Sequence, residues 1–354
     1  MAQEFPSLDA VLAHGFDNVI DVRSPAEFAL DHVPGAINLP VLNNEERAEV
    51  GTIYVQQSSF TARKIGAAKV FRNAADHIDT SLRHHPGSWR PLVYCWRGGQ
   101  RSGAFSWMLG QIGWRAEVLS GGYRSYRRLV NDMLYTKPLP HRLVALDGYT
   151  GTAKTALLHH VAARGGQVID LEGAAGHRGS LLGALDVPQP SQKAFETDIA
   201  AALSACDPAR PVLVEAESSK IGDRSLPPSV WTGLCAAPAI QVTAPIAART
   251  QYLVQAYDDI LSDSARLSGL LSHLRAHRGH AVVDGWNALI KAGDKAALTR
   301  ALMEQHYDPA YARARRNRTR TTLFDVTCDS LDDAALARAA DQIVEGLERL
   351  TLPT

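Results

Sequence analysis

The sequence has no apolar run near the roughly 18 residues of a membrane-spanning helix, so no membrane segment is expected. Its opening, MAQEFPSLDA, lacks the basic start and apolar stretch of a secretory leader, and a cytoplasmic protein is expected. Cysteine is sparse. Cys95, Cys206, Cys235 and Cys328 stand far apart with no C-x-x-C pair, which suggests neither a disulfide framework nor a zinc site. Net charge is also lacking: 37 Lys and Arg balance 37 Asp and Glu, so any polyanionic partner has to be held by local patches. No internal repeat or low-complexity tract is visible.

What is present is an apolar fraction of 45% in 354 residues, enough for two globular domains with full cores. NVIDVRS (18–24), PLVYC (91–95) and AEVLSGG (116–122) read as short strands with helices between them, notably from Gln100 to Gly110. YTKPLPHR (135–142) carries two prolines without apolar periodicity and reads as a linker. Beyond it RLVALDG, QVIDLEG, PVLVEAE, AIQVTA and TTLFDVT alternate with helical stretches, including a long one from Pro245 to about Arg275 and an amphipathic one from Asp332 to Leu350. The expected fold class is α/β throughout, with parallel sheets covered on both faces. Domains are expected at 1–135 and 143–354, with a linker at 136–142. Cys206, Cys235 and Cys328 lie in apolar segments and are expected in the core.

LVYCWRGGQRSG (92–103) ends a buried strand on Cys95 and continues through Gly98 and Gly99, which permit a sharp bend. Such a loop can turn the amides of Trp96, Arg97, Gly98, Gly99, Gln100 and Arg101 inward as a nest for an oxyanion. Arg97 and Arg101 add positive charge, and the nest and the charge both favour thiolate over thiol. The expected chemistry is a Cys95 nucleophile meeting an anionic group. The same residues have the C-x5-R spacing of cysteine phosphatases, followed by Ser102, so a phosphatase or plain sulfurtransferase stays open. An inactive regulatory module is disfavoured, because it has no need of a thiol and an arginine together.

The strand RLVALDG runs into GYTGTAKT: Gly148, Tyr149, Thr150, Gly151, Thr152, Ala153, Lys154, Thr155. Set against G-x-x-x-x-G-K-S/T, it matches except at Ala153, where a second glycine belongs. Its amides and Lys154 would cradle phosphate at a helix N-terminus, and Thr155 would hold magnesium. Ala153 implies a wider loop or a weaker grip. Glu215 and Glu217, at the end of PVLVEAE, are placed to assist the magnesium through water, although no metal site is firmly assigned. Two basic clusters are candidates for RNA contact. YRSYRR places Arg124, Arg127 and Arg128 among Tyr123 and Tyr126, aromatics of the kind that stack on bases. YARARRNRTR carries Arg313, Arg315, Arg316, Arg318 and Arg320, beside Tyr307, Asp308 and Tyr311.

VIDVRSPAEFALDHVPGAINLP (19–40) resembles the first signature of rhodanese domains at Asp21, Arg23, Glu27, His32, Pro34, Gly35, Ala36, Asn38 and Pro40, and YCWRGGQRSG resembles their active-site loop. A rhodanese-like half joined to a P-loop half, with DLEGAAGHRGS (170–180), PQPSQKAFE (188–196) and YDPAYA (307–312), is similar to the tRNA 2-selenouridine synthase family over nearly the whole chain. The resemblance implies action on 2-thiouridine at the wobble position of tRNAs for lysine, glutamate and glutamine. A geranyl group from geranyl diphosphate would go onto the sulfur, and selenium from selenophosphate would then replace the geranylated sulfur. It implies that Cys95 attacks selenophosphate or carries selenium as a perselenide, and that His177 and Arg178 lie near ligand. The phosphate loop is read as holding either the geranyl diphosphate or a nucleotide. Selenophosphate synthetase is a candidate partner, and Trp96 could stack on a base, stack on the geranyl chain, or simply cover the loop.

Overall fold

The computed structural model describes residues 2–316 and 320–350, the side chains of 314–316 excepted. Its chain contacts divide into two units, Met1–Lys137 with Pro190–Ala205, and Pro138–Gln189 with Cys206–Thr354. Residues 190–205, which the sequence reading leaves in the second domain, thus group with the first.

The first unit is built on a parallel sheet in the order β1-β5-β4-β2-β3, with β1 Ala2–Gln3, β2 Asn18–Asp21, β3 Ile37–Asn38, β4 Pro91–Tyr94 and β5 Glu117–Leu119. β4, at the centre, is buried at all four residues, which is why it reads as an unbroken apolar run. Its helices are α1 Leu8–Leu12, α2 Pro25–Leu30, α3 Asn44–Gln56, α4 Ser59–His77, α5 Gln100–Ile112 and α6 Gly122–Asn131. The expected helix after the cysteine loop is α5, and it stops at Gly113, whose φ of 107° lies in the left-handed region. α6 passes into a π-helical turn, Asp132–Thr136, that buries Leu134, so the irregular connection begins only at Lys137.

The second unit carries a parallel sheet in the order β12-β11-β6-β8-β7. Its members are β6 Arg142–Gly148, β7 Gln167–Ile169, β8 Pro211–Glu215, β11 Ala239–Thr243 and β12 Thr322–Thr327; β9 Lys220–Ile221 and β10 Arg224–Ser225 form a separate antiparallel pair. Central β6 delivers the phosphate loop to α7 Lys154–Ala162 at the C-terminal edge of the sheet, where α/β folds place their ligands. α8 Leu171–Ala175, α10 Pro228–Ala236 and α11 Ile246–Ala256 belong to this unit, and α9 Gln192–Ser204 to the other.

The single long helix expected from Pro245 to about Arg275 is broken. α11 ends at Ala256, and helices Asp258–Ser262, Ser264–Ser272 and Arg275–Arg278 follow. Asp263 caps Ser264–Ser272 by accepting from the Arg266 amide at 2.9 Å, a local bond that competes with helix continuation. These turns pack Leu261, Leu267 and Leu271 around Trp286 in a helical subcore. Cys328 is buried as expected, but Cys206 is half-buried and Cys235 is exposed, because its place on α10 faces away from the buried Val230 and Leu234.

Candidate functional site

In the first unit, Cys95 follows the last residue of β4 and is buried, and the loop after it closes onto the start of α6. Tyr123 and Arg124 donate their amides to the carbonyls of Cys95 and Trp96 at 2.8 and 3.0 Å. That approach needs glycine on both sides. A Cβ at Gly122 would lie 2.3 Å from the Cys95 carbonyl oxygen, and one at Gly98, held at φ +63°, would lie 2.5 Å from that of Leu119. The loop then leads straight into the N-terminus of α5 at Gln100, whose unpaired amides favour an anion.

Burial would push the Cys95 thiol up. The Ser102 hydroxyl, which donates to Sγ at 3.2 Å, the amides of Ser102 and Arg97, and the Arg101 charge outweigh it and hold the thiol below its ordinary value. Arg101 is itself fixed, donating to Glu27 Oε2 at 3.0 Å; Glu27 also accepts from the Ser24 amide at the start of α2. Arg97 and Gln100 are exposed, and Trp96, partly exposed, lies 5.2 Å from the Tyr123 ring and 5.9 Å from the Lys193 ammonium of α9. Neither Lys193 nor Glu27 was singled out as a site residue from sequence: one is far away in the chain, and the other was noted only as part of the rhodanese signature.

Behind this loop lies a buried polar network. Arg23 pairs with Asp21 and donates to the Asp31 carbonyl, each at 2.6 Å, with its guanidinium 4.0 Å from the Tyr123 ring centre. The Tyr123 hydroxyl donates to Asp31 Oδ2 at 2.6 Å. Arg127 pairs with Glu196 of α9, which also accepts from Tyr135 at 2.6 Å. The sequence reading of YRSYRR is therefore altered. Tyr123 and Tyr126 are core residues and Arg127 is paired with Glu196, so of the cluster's tyrosines and arginines Arg124 and Arg128 are the exposed ones.

In the second unit the phosphate loop has the expected form, strand then loop then helix. Ala153, at φ 56°, is the one non-glycine residue with positive φ among those described. The alanine has been forced into glycine's conformation, at a cost of roughly 1–2 kcal/mol, with its Cβ packed into the core. Lys154 Nζ donates to the Gly148 carbonyl at 3.0 Å, across the mouth of the loop. The outer side is braced by buried Arg249 of α11, which donates to the Thr150 carbonyl at 2.9 Å and grips Asp308 through both terminal nitrogens. Tyr311 donates to Asp147, and its ring lies 5.5 Å from that of Tyr149. Tyr307, Asp308 and Tyr311, expected beside an RNA-binding cluster, thus help to build the phosphate site.

A cavity of about 810 Å³ opens from this loop. Lys154, Thr155, Glu172, Arg178 and Glu217 form its polar wall, and Leu181, Tyr252, Leu253 and Tyr257 its apolar one. A small apolar recess beside it shares Leu253, Tyr257 and Tyr307 and adds Leu261, Leu302 and Met303. Arg178 is held by Asp259 at 2.9 and 3.0 Å. His177 does not line the cavity. Its Nδ1 accepts the Gly179 amide at 3.1 Å, and burial holds its pKa low, the properties of a turn residue.

Thr155 donates to Glu172 Oε2 at 2.9 Å. Burial and the charges of Glu215 and Glu217 push Glu172 up to about 8. Glu215 is deeper; one oxygen accepts the amides of Leu171 and Glu172 at 3.2 Å, and the other is buried with no partner. Among the described residues no group of three or more His, Cys, Asp or Glu is arranged to hold a metal ion. A hydroxyl with one or two carboxylates nearby still suits magnesium, which takes most of its remaining ligands from phosphate and water. Arg313 is exposed on helix Asp308–Arg316, Arg320 lines the cavity, and the side chains of Arg315, Arg316 and Arg318 lie outside the described residues.

A family model described as a rhodanese-like domain matches residues 7–129, and one described as the tRNA 2-selenouridine synthase AAA domain matches residues 141–280. A protein of Nitrosomonas europaea named tRNA 2-selenouridine synthase is 37% identical over 246 residues, 68% of this chain and 63% of its own length. One from Bdellovibrio bacteriovorus is 34% identical over 70% of this chain and 65% of its own. The matches thus span a little under two thirds of these two relatives. One from Cupriavidus pinatubonensis, of the same name, is 30% identical over 340 residues, 86% of this chain and 91% of its own length. With both halves matched in order and one relative covered almost end to end, this chain belongs to the tRNA 2-selenouridine synthase family.

Proposed function

We propose that the chain is a transferase that replaces the sulfur of wobble 2-thiouridine in tRNA with selenium, using geranyl diphosphate and then selenophosphate. The observation that carries this reading is the presence, in one chain, of a thiolate-favouring oxyanion loop and a phosphate loop opening into a partly apolar cavity.

In the first step the sulfur on C2 of the base attacks C1 of the geranyl group, and the C–O bond to diphosphate breaks. The loop amides from Gly148 to Thr155 and Lys154 would take up the charge on the leaving diphosphate. The side chains of Leu253, Tyr252 and Tyr257 would shield the geranyl chain from water. Magnesium held by Thr155 would neutralise diphosphate charge. Arg178, held by Asp259, would orient the diphosphate.

In the second step the Cys95 thiolate attacks phosphorus of selenophosphate. An S–P bond forms, the P–Se bond breaks and selenide leaves, with no change of oxidation state at either element. Loop amides and Arg101 would hold the phosphoryl oxygens. Selenide adds to C2 of the geranylated base and geranyl thiolate departs, while water hydrolyses the cysteinyl phosphate. A perselenide on Cys95 would instead require an oxidant.

The test supplies purified protein with tRNA bearing 2-thiouridine, then geranyl diphosphate, then selenophosphate, and reads nucleosides by mass spectrometry. Wild type should give geranylated and then selenium-containing uridine. Lys154→Ala should lose the first product, and Cys95→Ala should accumulate it. If wild type leaves the nucleoside unchanged and hydrolyses an aryl phosphate through Cys95, the protein is a cysteine phosphatase.

A further inference from the structure

The α3–α4 hairpin of the first unit packs Val70 and Ala74 of α4 into the core, but its outer side has no such role. α3 runs for 13 residues without one that is fully buried. It is held to α4 by close approach at Gly66, where a Cβ would lie 3.2 Å from a Val50 methyl. Large apolar side chains instead point outward. At the hairpin tip Tyr54 is exposed and Val55 is 83% exposed, and on α4 Phe60 is 72% exposed. Phe71, further along α4, meets Trp107 of α5 edge-on at 6.3 Å, and Trp107 is itself 59% exposed. Leaving so much aromatic area in water in a folded unit indicates a partner.

Phe60, Lys64, Ala67 and Phe71 follow one another at spacings of three or four residues and so share one face of α4. The 11 residue steps from Phe60 to Phe71 cover about 16 Å at the α-helical rise. Exposed Arg63 and Arg72 flank this stripe and make no ion pair among the described residues. Lys69 alone is neutralised, by Glu46 and Glu49. No Asp or Glu occurs between Glu49 and Asp76, nor between Asp79 and Glu117, which covers most of α4 and all of α5. The face is thus aromatic and of one charge sign.

We propose that this α4–α5 face is an RNA-binding surface, on which Phe60, Phe71 and Trp107 stack on unpaired bases while Arg63, Lys64 and Arg72 contact the phosphates. It rests on the reading of tRNA as substrate and adds residues that neither basic cluster of the sequence contains. Aromatic rings set among cations are what single-stranded nucleotides require, since every base offers a π face and every link a charge. A second copy of the chain fits less well. Both sides of such a contact would bring only cations, and the repulsion would have no carboxylate to relieve it.

The experiment measures tRNA binding by fluorescence anisotropy across a salt series, with geranylation of 2-thiouridine followed in parallel. Phe60→Ser, Phe71→Ser and Trp107→Ser should each weaken binding by about tenfold without changing the salt slope. Arg63→Glu with Lys64→Glu should also lower the slope, by about one for each phosphate contact removed. For all of these variants KM for tRNA should rise while kcat at saturating tRNA stays at the wild-type value. Melting temperatures should be unchanged, because no buried group is touched. Benzophenone placed at position 60 should crosslink to a loop of the tRNA. If the variants bind and modify tRNA like wild type, the surface is not an RNA site, although the proposed activity stands. If they instead abolish a concentration-dependent dimer in sedimentation, a second copy is the partner. If wild type neither binds nor modifies tRNA, both the surface and the proposed activity fall.

Discussion

Ser102 adds a support for the Cys95 thiolate that the loop amides and the two arginines were expected to give without it. Its hydroxyl reaches Sγ at 3.2 Å, and its amide also points at the sulfur, whereas Arg101 is partly neutralised by Glu27. The thiolate is the reactive form, so a thiol held low keeps its reactivity as pH falls below the ordinary cysteine range. Alkylation by iodoacetamide, followed against pH, should therefore have its midpoint below that of free cysteine. In Ser102→Ala the midpoint should move up, towards or past the free value, because burial would then meet less opposition. Cys95→Ala separates this signal from that of the exposed Cys235. An unmoved midpoint in Ser102→Ala would mean that the loop amides and α5 suffice. The thiol, the glycines and the arginines were legible in sequence because each has few other reasons to stand at a strand end. The restraint of Arg101 was not, since it depends on a carboxylate 74 residues earlier that only the fold brings within reach.

At the scale of the element, β6, β7 and β8 end together and bring Glu172 and Glu215 beneath the phosphate loop. Two carboxylates so placed cannot both ionise cheaply. Burial raises both, Glu215 to about 7 and Glu172 to about 8; the two amides that Glu215 accepts pull it back towards its charged form, so the proton is kept longest on Glu172. Its folded pKa of about 8 exceeds the unfolded value of about 4.3. The stability this proton contributes is complete below the unfolded pKa and is lost as pH rises towards 8. Glu172→Gln, which carries no titrating proton, should melt like wild type near pH 4 and progressively higher than wild type between pH 5 and 8. The scale is about 2–4 °C for each kcal/mol in a unit of this size. Thermal denaturation in metal-free buffer at several pH values checks it, and parallel melting curves would show that Glu172 is ionised throughout. Strand, loop and helix around Lys154 were readable because apolar β-branched runs and a lysine after glycines are local signals. That Ala153 would adopt the left-handed form was not, because that conformation is imposed by the core holding its Cβ. The breaks after α11 were hidden for a similar reason: helical periodicity persists across Tyr257 and Asp263 while the axis turns.

On the scale of the whole molecule, the backbone passes between the two units three times, at 137–138, 189–190 and 205–206. α9 is thus a piece of the first unit inserted in the sequence of the second. Composition gave no sign of this, because α9 reads like any amphipathic helix and only its neighbours reveal where it belongs. Those neighbours are exacting. Phe195, Ile199 and Leu203 are fully buried, Glu196 meets Arg127, Tyr135 and Gln192, and Thr197 accepts from Tyr126. Burying three such side chains contributes roughly 5–9 kcal/mol, which is comparable with the net stability of a whole domain. Removing α9 would also take away the Glu196 partner of Arg127 and the Thr197 partner of Tyr126. A fragment spanning residues 1–137, cut where the sequence alone would cut it, should therefore lack a cooperative thermal transition. A peptide spanning residues 188–206 added in trans should restore one, with a melting temperature that rises with peptide concentration. The same peptide with Phe195→Ala and Glu196→Ala should fail to do so. If the bare fragment melts cooperatively and ignores the peptide, α9 is dispensable to the unit, and the buried pair of Arg127 and Glu196 contributes little beyond its own desolvation.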